Sequence, residues 1–187
     1  FAGAILVFPF AYIFGDILTE VYGYARARRV IWIGFGANLL MVALFWIVGK
    51  LPPDAYWPNQ AAYDAILGQV PRIVLGSLAA YLFGELLNSY VLAKLKVKTE
   101  GKKLWYRALA STVVGEFFDT TIFLLIAFGG VLPWPLLKTI WITSYVFKIL
   151  IELVMLPVTY RVVAFLKAKE QVDYYDRETN FNPLQIS

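Results

Sequence analysis

Residues 107–130 read RALASTVVGEFFDTTIFLLIAFGG, an apolar run with Glu116 and Asp119 set inside it. A helix needs roughly 20 apolar residues to cross a bilayer, at about 1.5 Å rise per residue. An ionised acid in hydrocarbon costs about 3 kcal/mol on insertion scales and more in simulation. Two acids three positions apart share one helix face, so they need a partner or a wet cavity. That requirement decides the reading of the rest of the chain.

The same apolar blocks recur on both sides of this segment. The chain is 60% hydrophobic and only 16% charged, with mean hydropathy +0.65. An ordinary soluble domain is about half apolar and about a quarter charged. The pattern predicts an all-α integral membrane protein, a polytopic helical bundle forming a single transmembrane domain over 1–187. Neither Cys nor His occurs, which excludes disulfides, thiolate nucleophiles, Cys/His metal sites and histidine proton relays. The net charge of +4 sits at the ends of apolar blocks. There it sets topology and gives no reason to expect a nucleic-acid partner. No cofactor is expected either.

Five spans are predicted in order. The first runs from Phe1 to about Ile17, with Pro9 tolerated because neighbouring helices re-satisfy the freed carbonyl. It runs into Asp16, Thr19, Glu20 and then the basic group Arg26, Arg28 and Arg29. The second span covers Val30 to Val48, with Asn38 as its strongly polar interior residue. A Pro-, Tyr- and Trp-rich loop from Lys50 to Pro71 follows, carrying a short interfacial helix near 59–67. The third span runs from Ile73 to about Ala93 and carries Glu85 and Asn88. The fourth is the opening segment. Pro133-Trp134-Pro135 form a turn into the fifth, from about Leu136 to Val163, with Lys148 and Glu152 inside. A polar tail over 168–187 is expected at the cytoplasmic membrane surface.

Basic residues set the orientation. Arg26, Arg28, Arg29, Lys94, Lys96, Lys98, Lys102, Lys103, Arg107, Arg161, Lys167 and Lys169 fall on one side, and Lys50, Arg72 and Lys138 on the other. Twelve against three puts the first group, and the C-terminus, in the cytoplasm by the positive-inside rule. Phe1 then lies outside, and a further span upstream with its own start inside is expected, giving six. The expected location is a prokaryotic cell (inner) membrane.

Depth along the helices groups the polar residues. Glu85 lies about eight residues, or about 12 Å, before the cytoplasmic end of its span, and Glu116 about nine residues past the start of its own. Lys148, Glu152, Asp16 and Glu20 fall at or near the same level. Gly84-Glu85-Leu86-Leu87-Asn88-Ser89 and Gly115-Glu116-Phe117-Phe118-Asp119-Thr120 also share a pattern. Each sets Glu and Asn or Asp on one helix face, beside a Gly that permits close approach. The two helices run in opposite directions, as inverted repeats do, although chance explains six residues equally well.

Lys148 and Glu152 at i, i+4 can pair with each other, and an internal ion network holding the bundle together is the plain structural reading. Yet Glu85, Glu116, Asp119 and Glu152 face one Lys. Several acids are therefore either protonated or await a cationic or donor-rich ligand. Asn38, Ser111 and Thr112 taken singly read as structural glue; Asn38 is carried in the candidate set for its polarity within a span. Phe83, Phe117, Phe118, Trp141, Tyr145 and Phe147 surround the acids, and a few of them can sandwich a flat ring. Carboxylates and Asn suit the donor edge of a guanine-like base. An intramembrane carboxylate pair doing acid/base work is the enzymatic alternative, but no nucleophile motif, metal signature or phosphate loop accompanies it.

These motifs resemble the queuosine precursor transporter family, within the vitamin uptake transporter group. The likeness begins at Asp16-Ile17-Leu18-Thr19-Glu20-Val21-Tyr22-Gly23 with Ala27-Arg28-Arg29. It continues through Gly84-Glu85, Asn88-Ser89, Lys94, Lys96, Arg107, Ser111-Thr112 and Gly115-Glu116 to Asp119-Thr120. Lys148, Glu152, Pro157, Thr159-Tyr160 and the tail from Asp176 to Pro183 complete it. The resemblance implies a six-helix importer of 7-deazaguanine precursors of queuosine, the 7-cyano or the 7-aminomethyl form, with the family's N-terminal span unmatched here. In that reading Glu85, Asn88, Glu116 and Asp119 recognise the base, Lys148 and Glu152 contact it or balance its charge, and Asp16 and Asn38 complete the set. The expected partners are a small purine-like solute and the bilayer, with a homodimer left open. The alternative it implies is the substrate-binding component of an energy-coupling-factor vitamin transporter, which needs partner ATPases.

Overall fold

A computed structural model of the chain describes residues 8–54, 56–68 and 71–185. Six helices follow one another: α1 (Phe8–Tyr22), α2 (Tyr24–Lys50), α3 (Gln60–Leu67), α4 (Pro71–Lys98), α5 (Leu104–Phe128) and α6 (Trp134–Glu170). The regions of α2, α4, α5 and α6 are long and apolar enough to cross a membrane. The first expected span begins outside the described residues, and α1 is its described part. The short α3 falls where the interfacial helix is expected.

The frame is the antiparallel pair α4–α5, which share the largest helix interface, with α1 against α4 and α6, α6 against α5, and α2 along α4. Gly84 and Gly115, the glycines of the two matching motifs, meet at the α4–α5 crossing. A Cβ added at Gly115 would lie 2.8 Å from the Asn88 Cβ and 3.0 Å from the Gly84 carbonyl oxygen. Small residues allow such backbone approach in membranes, where packing replaces the hydrophobic drive. Gly115→Val is therefore expected to cost about 1–3 kcal/mol of stability through overpacking. Thermal unfolding in detergent checks this, and an unchanged midpoint would show the crossing is slack.

The turn from α1 into α2 is a single residue. Gly23 has φ 86°, a left-handed conformation that Gly adopts without penalty, and a Cβ there would strike the Tyr174 ring. Pro157 sits inside α6. At the opposite end of the bundle Arg72 donates to the Ile126 and Gly129 carbonyls. There it satisfies terminal carbonyls of α5 and complements the negative end of its dipole.

The tail folds back as a strap over α1, α2 and α4. Asp176 accepts the Tyr24 backbone N–H at 3.0 and 3.1 Å, capping the start of α2. Buried Arg28 donates to the Asn180 and Asn182 carbonyls at 2.8 and 2.6 Å. Phe181 packs on Tyr24 and Tyr90, with the Lys94 ammonium 3.8 Å from its ring centroid. The cost of burying Arg28 is offset by these backbone carbonyls.

Asp173 anchors the strap by accepting from Lys96 at 2.5 Å and Lys167 at 2.9 Å. Partial burial pushes its carboxyl up, but the hydrogen bonds from Lys96 and Lys167 outweigh it and hold the group below its ordinary 3.8. A carboxyl depressed on folding contributes its full stabilisation above the unfolded value and loses it as pH falls through the folded one. Protection against hydrogen exchange over 171–182, relative to the unfolded chain, is expected to fall below pH 3.8, and at neutral pH in Asp173→Asn. Equal exchange in wild type and variant at neutral pH would remove Asp173 as the anchor.

Candidate functional site

The carboxyl groups point inward. Glu85 and Asn88 on α4, Glu116 on α5, Asp16 on α1 and Glu152 on α6 are all buried. Asp119 and Lys148 are mostly so, their side chains 17% and 13% exposed. Lys148 bridges two acids of α5, at 2.7 Å from Glu116 Oε2 and 2.6 Å from Asp119 Oδ2. Its sequence neighbour Glu152 instead lies beside Asp16, with Oε1 unbonded. The cation thus reaches from α6 to two acids of α5.

Glu85 joins this group from α4. Its carboxylate lies against Gly15, where a Cβ would stand 2.8 Å from Oε2, and it interacts electrostatically with Asp119, Glu116 and Lys148. The Tyr12 hydroxyl reaches Glu116 from α1. Asn88 donates its side-chain N–H to Asp16 at 2.7 Å. Seven of the eight expected site residues thus gather in one buried region built from α1, α4, α5 and α6. Counted as ionised, Glu85, Glu116 and Asp119 leave a formal charge of −2 around Lys148.

Asn38 stands apart from them. It is exposed on α2, donates to its own Gly34 carbonyl at 3.0 Å, and lines a groove of about 280 Å³ with Ser77 and Tyr81. An Asn within a helix can satisfy itself on the preceding turn, so polarity within a span did not require a place in the interior.

The expected aromatic residues form a seam of their own. Trp141 and Tyr145 stack at 4.9 Å and 20°, with Phe117 edge-on to both. Trp141 donates to Thr121 at 2.9 Å and Tyr145 to the Val113 carbonyl at 3.0 Å. Phe83, Phe117 and Phe118 are exposed on the bundle's flank. Toward the Gly129 end, Thr121, Trp134, Lys138 and Trp141 border a cavity of about 180 Å³, next along the α5–α6 seam from the Lys148 cluster.

One turn from Asp16, toward the strap, lies a second charged knot that the sequence did not announce. Glu20 takes a two-point contact from Arg107, both hydrogen bonds 2.7 Å, and a third bond from Lys167 at 2.6 Å. Lys96 lies 3.8 Å from the same carboxylate and donates to the Glu20 and Tyr174 carbonyls. Arg107, expected as a loop cation, is thus buried. Tyr12 and Thr112 also belong to the polar interior. For Tyr12 the sequence signal is spacing, four residues before Asp16; Thr112, read singly as structural glue, lies four before Glu116.

Residues 2–162 match the profile of a family described as "Putative vitamin uptake transporter". The chain belongs to the vitamin uptake transporter family. Curated relatives agree with this placement. A "Probable queuosine precursor transporter" of Bacillus subtilis is 36% identical over 146 residues, covering 78% of this chain and 64% of the relative. The chain thus spans a little under two thirds of that relative's length. A "Queuosine precursor transporter" of Escherichia coli is 27% identical over 184 residues, covering 96% of this chain and 78% of the relative. No solved structure matches the chain. Both names describe transporters and neither describes an enzyme. With its long apolar helices, this member of the family is a multi-pass membrane protein.

Proposed function

We propose that this protein imports a 7-deazaguanine precursor of queuosine, the 7-cyano or the 7-aminomethyl form, through the buried carboxyl cluster. The observation that carries the reading is the convergence of Glu85, Glu116 and Asp119 on the single cation Lys148 in the interior of the bundle. A guanine-like edge offers an N–H and an amino group side by side, the complement of a carboxylate. Hydrogen bonds to charged acceptors are about twice as strong as neutral ones. Asn88 adds an amide to the same wall, with Asp16 and Glu152 closing its inner side. The names of the curated relatives, queuosine precursor transporters, support the same solute class.

Labelled 7-cyano-7-deazaguanine binding to the purified protein tests the proposal. Glu116→Gln and Glu85→Gln are each expected to weaken binding by about 1.5–3 kcal/mol, the usual worth of a charge-assisted hydrogen bond, or about 10- to 100-fold. Unchanged affinity in both would defeat it. The orientation proposed with it, C-terminus in the cytoplasm, follows from the basic strap side. In a chain without cysteine, Glu178→Cys is expected to react with an impermeant thiol reagent only after the membrane is opened. Labelling in intact cells would reverse the orientation.

A further inference from the structure

Between the Lys148 cluster and the Glu20 knot, four side-chain oxygens from four helices have no hydrogen-bond partner. They are Asp16 Oδ2 on α1, Asn88 Oδ1 on α4, Thr112 Oγ1 on α5 and Glu152 Oε1 on α6. Their residues are 1%, 0%, 1% and 2% exposed, so bulk water does not reach them. The Asn88 N–H donated to Asp16 places the amide oxygen of Asn88 beside the same carboxyl group. Glu152 is the strongest electrostatic neighbour of Asp16, and the other charges acting on Asp16, from Glu85 and Glu20, are also acidic. Thr112 lies one turn before Gly115, which packs against the Asn88 side chain.

We propose that Asp16, Asn88, Thr112 and Glu152 form a binding site for a sodium ion. Carboxylate, amide carbonyl and hydroxyl oxygens are the ligands that hard cations take. A proton alone neutralises one carboxyl and donates to one acceptor, leaving the remaining oxygens without a positive partner. The set holds only two carboxyl groups, and no metal-binding group of three or more acidic or His residues occurs among the described residues. A monovalent ion therefore fits it better than a divalent one. The role of the ion rests on the import reading. Held against the inner wall of the base-binding cluster, it draws Asp16 and Glu152 toward each other and links α1 to α6, so that solute and ion favour the same arrangement of helices. The ion site itself stands without that reading.

The test uses radiolabelled sodium and the purified full chain in detergent, with choline chloride holding ionic strength constant and no deazaguanine present. Saturable sodium binding is expected, weakened about tenfold or more by Glu152→Gln, which removes a charge from the site, and by Thr112→Val, which removes a ligand oxygen. Sodium is also expected to raise the thermal midpoint of the wild type but not of Thr112→Val, a variant of nearly the same shape whose midpoint in choline stays near wild type. Absence of saturable binding in the wild type overturns the proposal, as does undiminished binding in both variants. Sodium binding by a protein that fails to bind deazaguanine would retain the ion site and remove the importer.

Discussion

Lys148→Met is expected to abolish deazaguanine binding and to lower thermal stability. Lys148 is the cation shared by Glu116 at 2.7 Å and Asp119 at 2.6 Å, and Glu85 acts on it as well. Removing one partner of a buried ion pair costs about 3–5 kcal/mol, because the remaining charge stays desolvated. Here two carboxylates are left facing each other, and the binding site loses the charge that holds them in place. A loss of affinity of at least about 100-fold corresponds to the lower end of that range. The triple variant Lys148→Met, Glu116→Gln, Asp119→Asn removes charge from both sides. It is expected to recover most of the thermal midpoint and none of the binding. If it recovered binding too, the cluster would be structural and the base would sit elsewhere.

Glu20→Ala should be the most damaging single change to stability. Glu20 is fully buried and faces Arg107, Lys167 and Lys96. Its removal takes from the buried Arg107 guanidinium its carboxylate and leaves Lys96 and Lys167 sharing one partly exposed acid, Asp173. The cost is again about 3–5 kcal/mol, against a total stability of only about 5–15 kcal/mol for an ordinary domain. Glu20→Gln keeps the volume and an acceptor oxygen, and is expected to lose less. Detergent-solubilised yield and thermal midpoint measure both. A Glu20→Ala midpoint equal to wild type would mean that the strap alone carries this end of the bundle. Asp173→Asn combined with Glu20→Ala should cost more than the sum of the two singly, since Lys96 and Lys167 then lose both of their acids.

The strap gives this knot a mechanical meaning. Val21, Glu20 and Tyr24 at the α1–α2 corner are bonded to residues 173–176, through the Tyr174 N–H to the Val21 carbonyl at 3.1 Å, through Lys96 and through Asp176. Asp16 lies on the same helix, one turn away. Any movement of α1 that exposes the acid cluster inward must therefore carry or release the strap.

How much of this was legible beforehand depends on the range of each interaction. Hydropathy is a local sum, so the helical class, the short α3 and the placing of carboxyl groups inside apolar runs follow from composition along the chain. The Gly84 and Gly115 motifs were visible as a pattern, but that they face each other so closely that a Cβ on Gly115 would stand 2.8–3.0 Å from the other motif is a property of the crossing. Azimuth around each helix was poorly marked, because lipid and bundle interior are both apolar and leave only a faint amphipathic signal. Asn38 and Asn88 look alike in sequence, yet one bonds its own preceding turn and the other bonds Asp16.

The sequence by itself determined which residues enter the membrane and that their charges do not balance. Tertiary structure alone decided which charges meet. Lys148 had Glu152 four residues away and took Glu116 and Asp119 from another helix. Glu20 took Arg107 from 87 positions along the chain. The physical reason is that in low dielectric a charge takes the partner offering the best geometry and the most hydrogen bonds, and helix packing, not sequence spacing, sets that geometry.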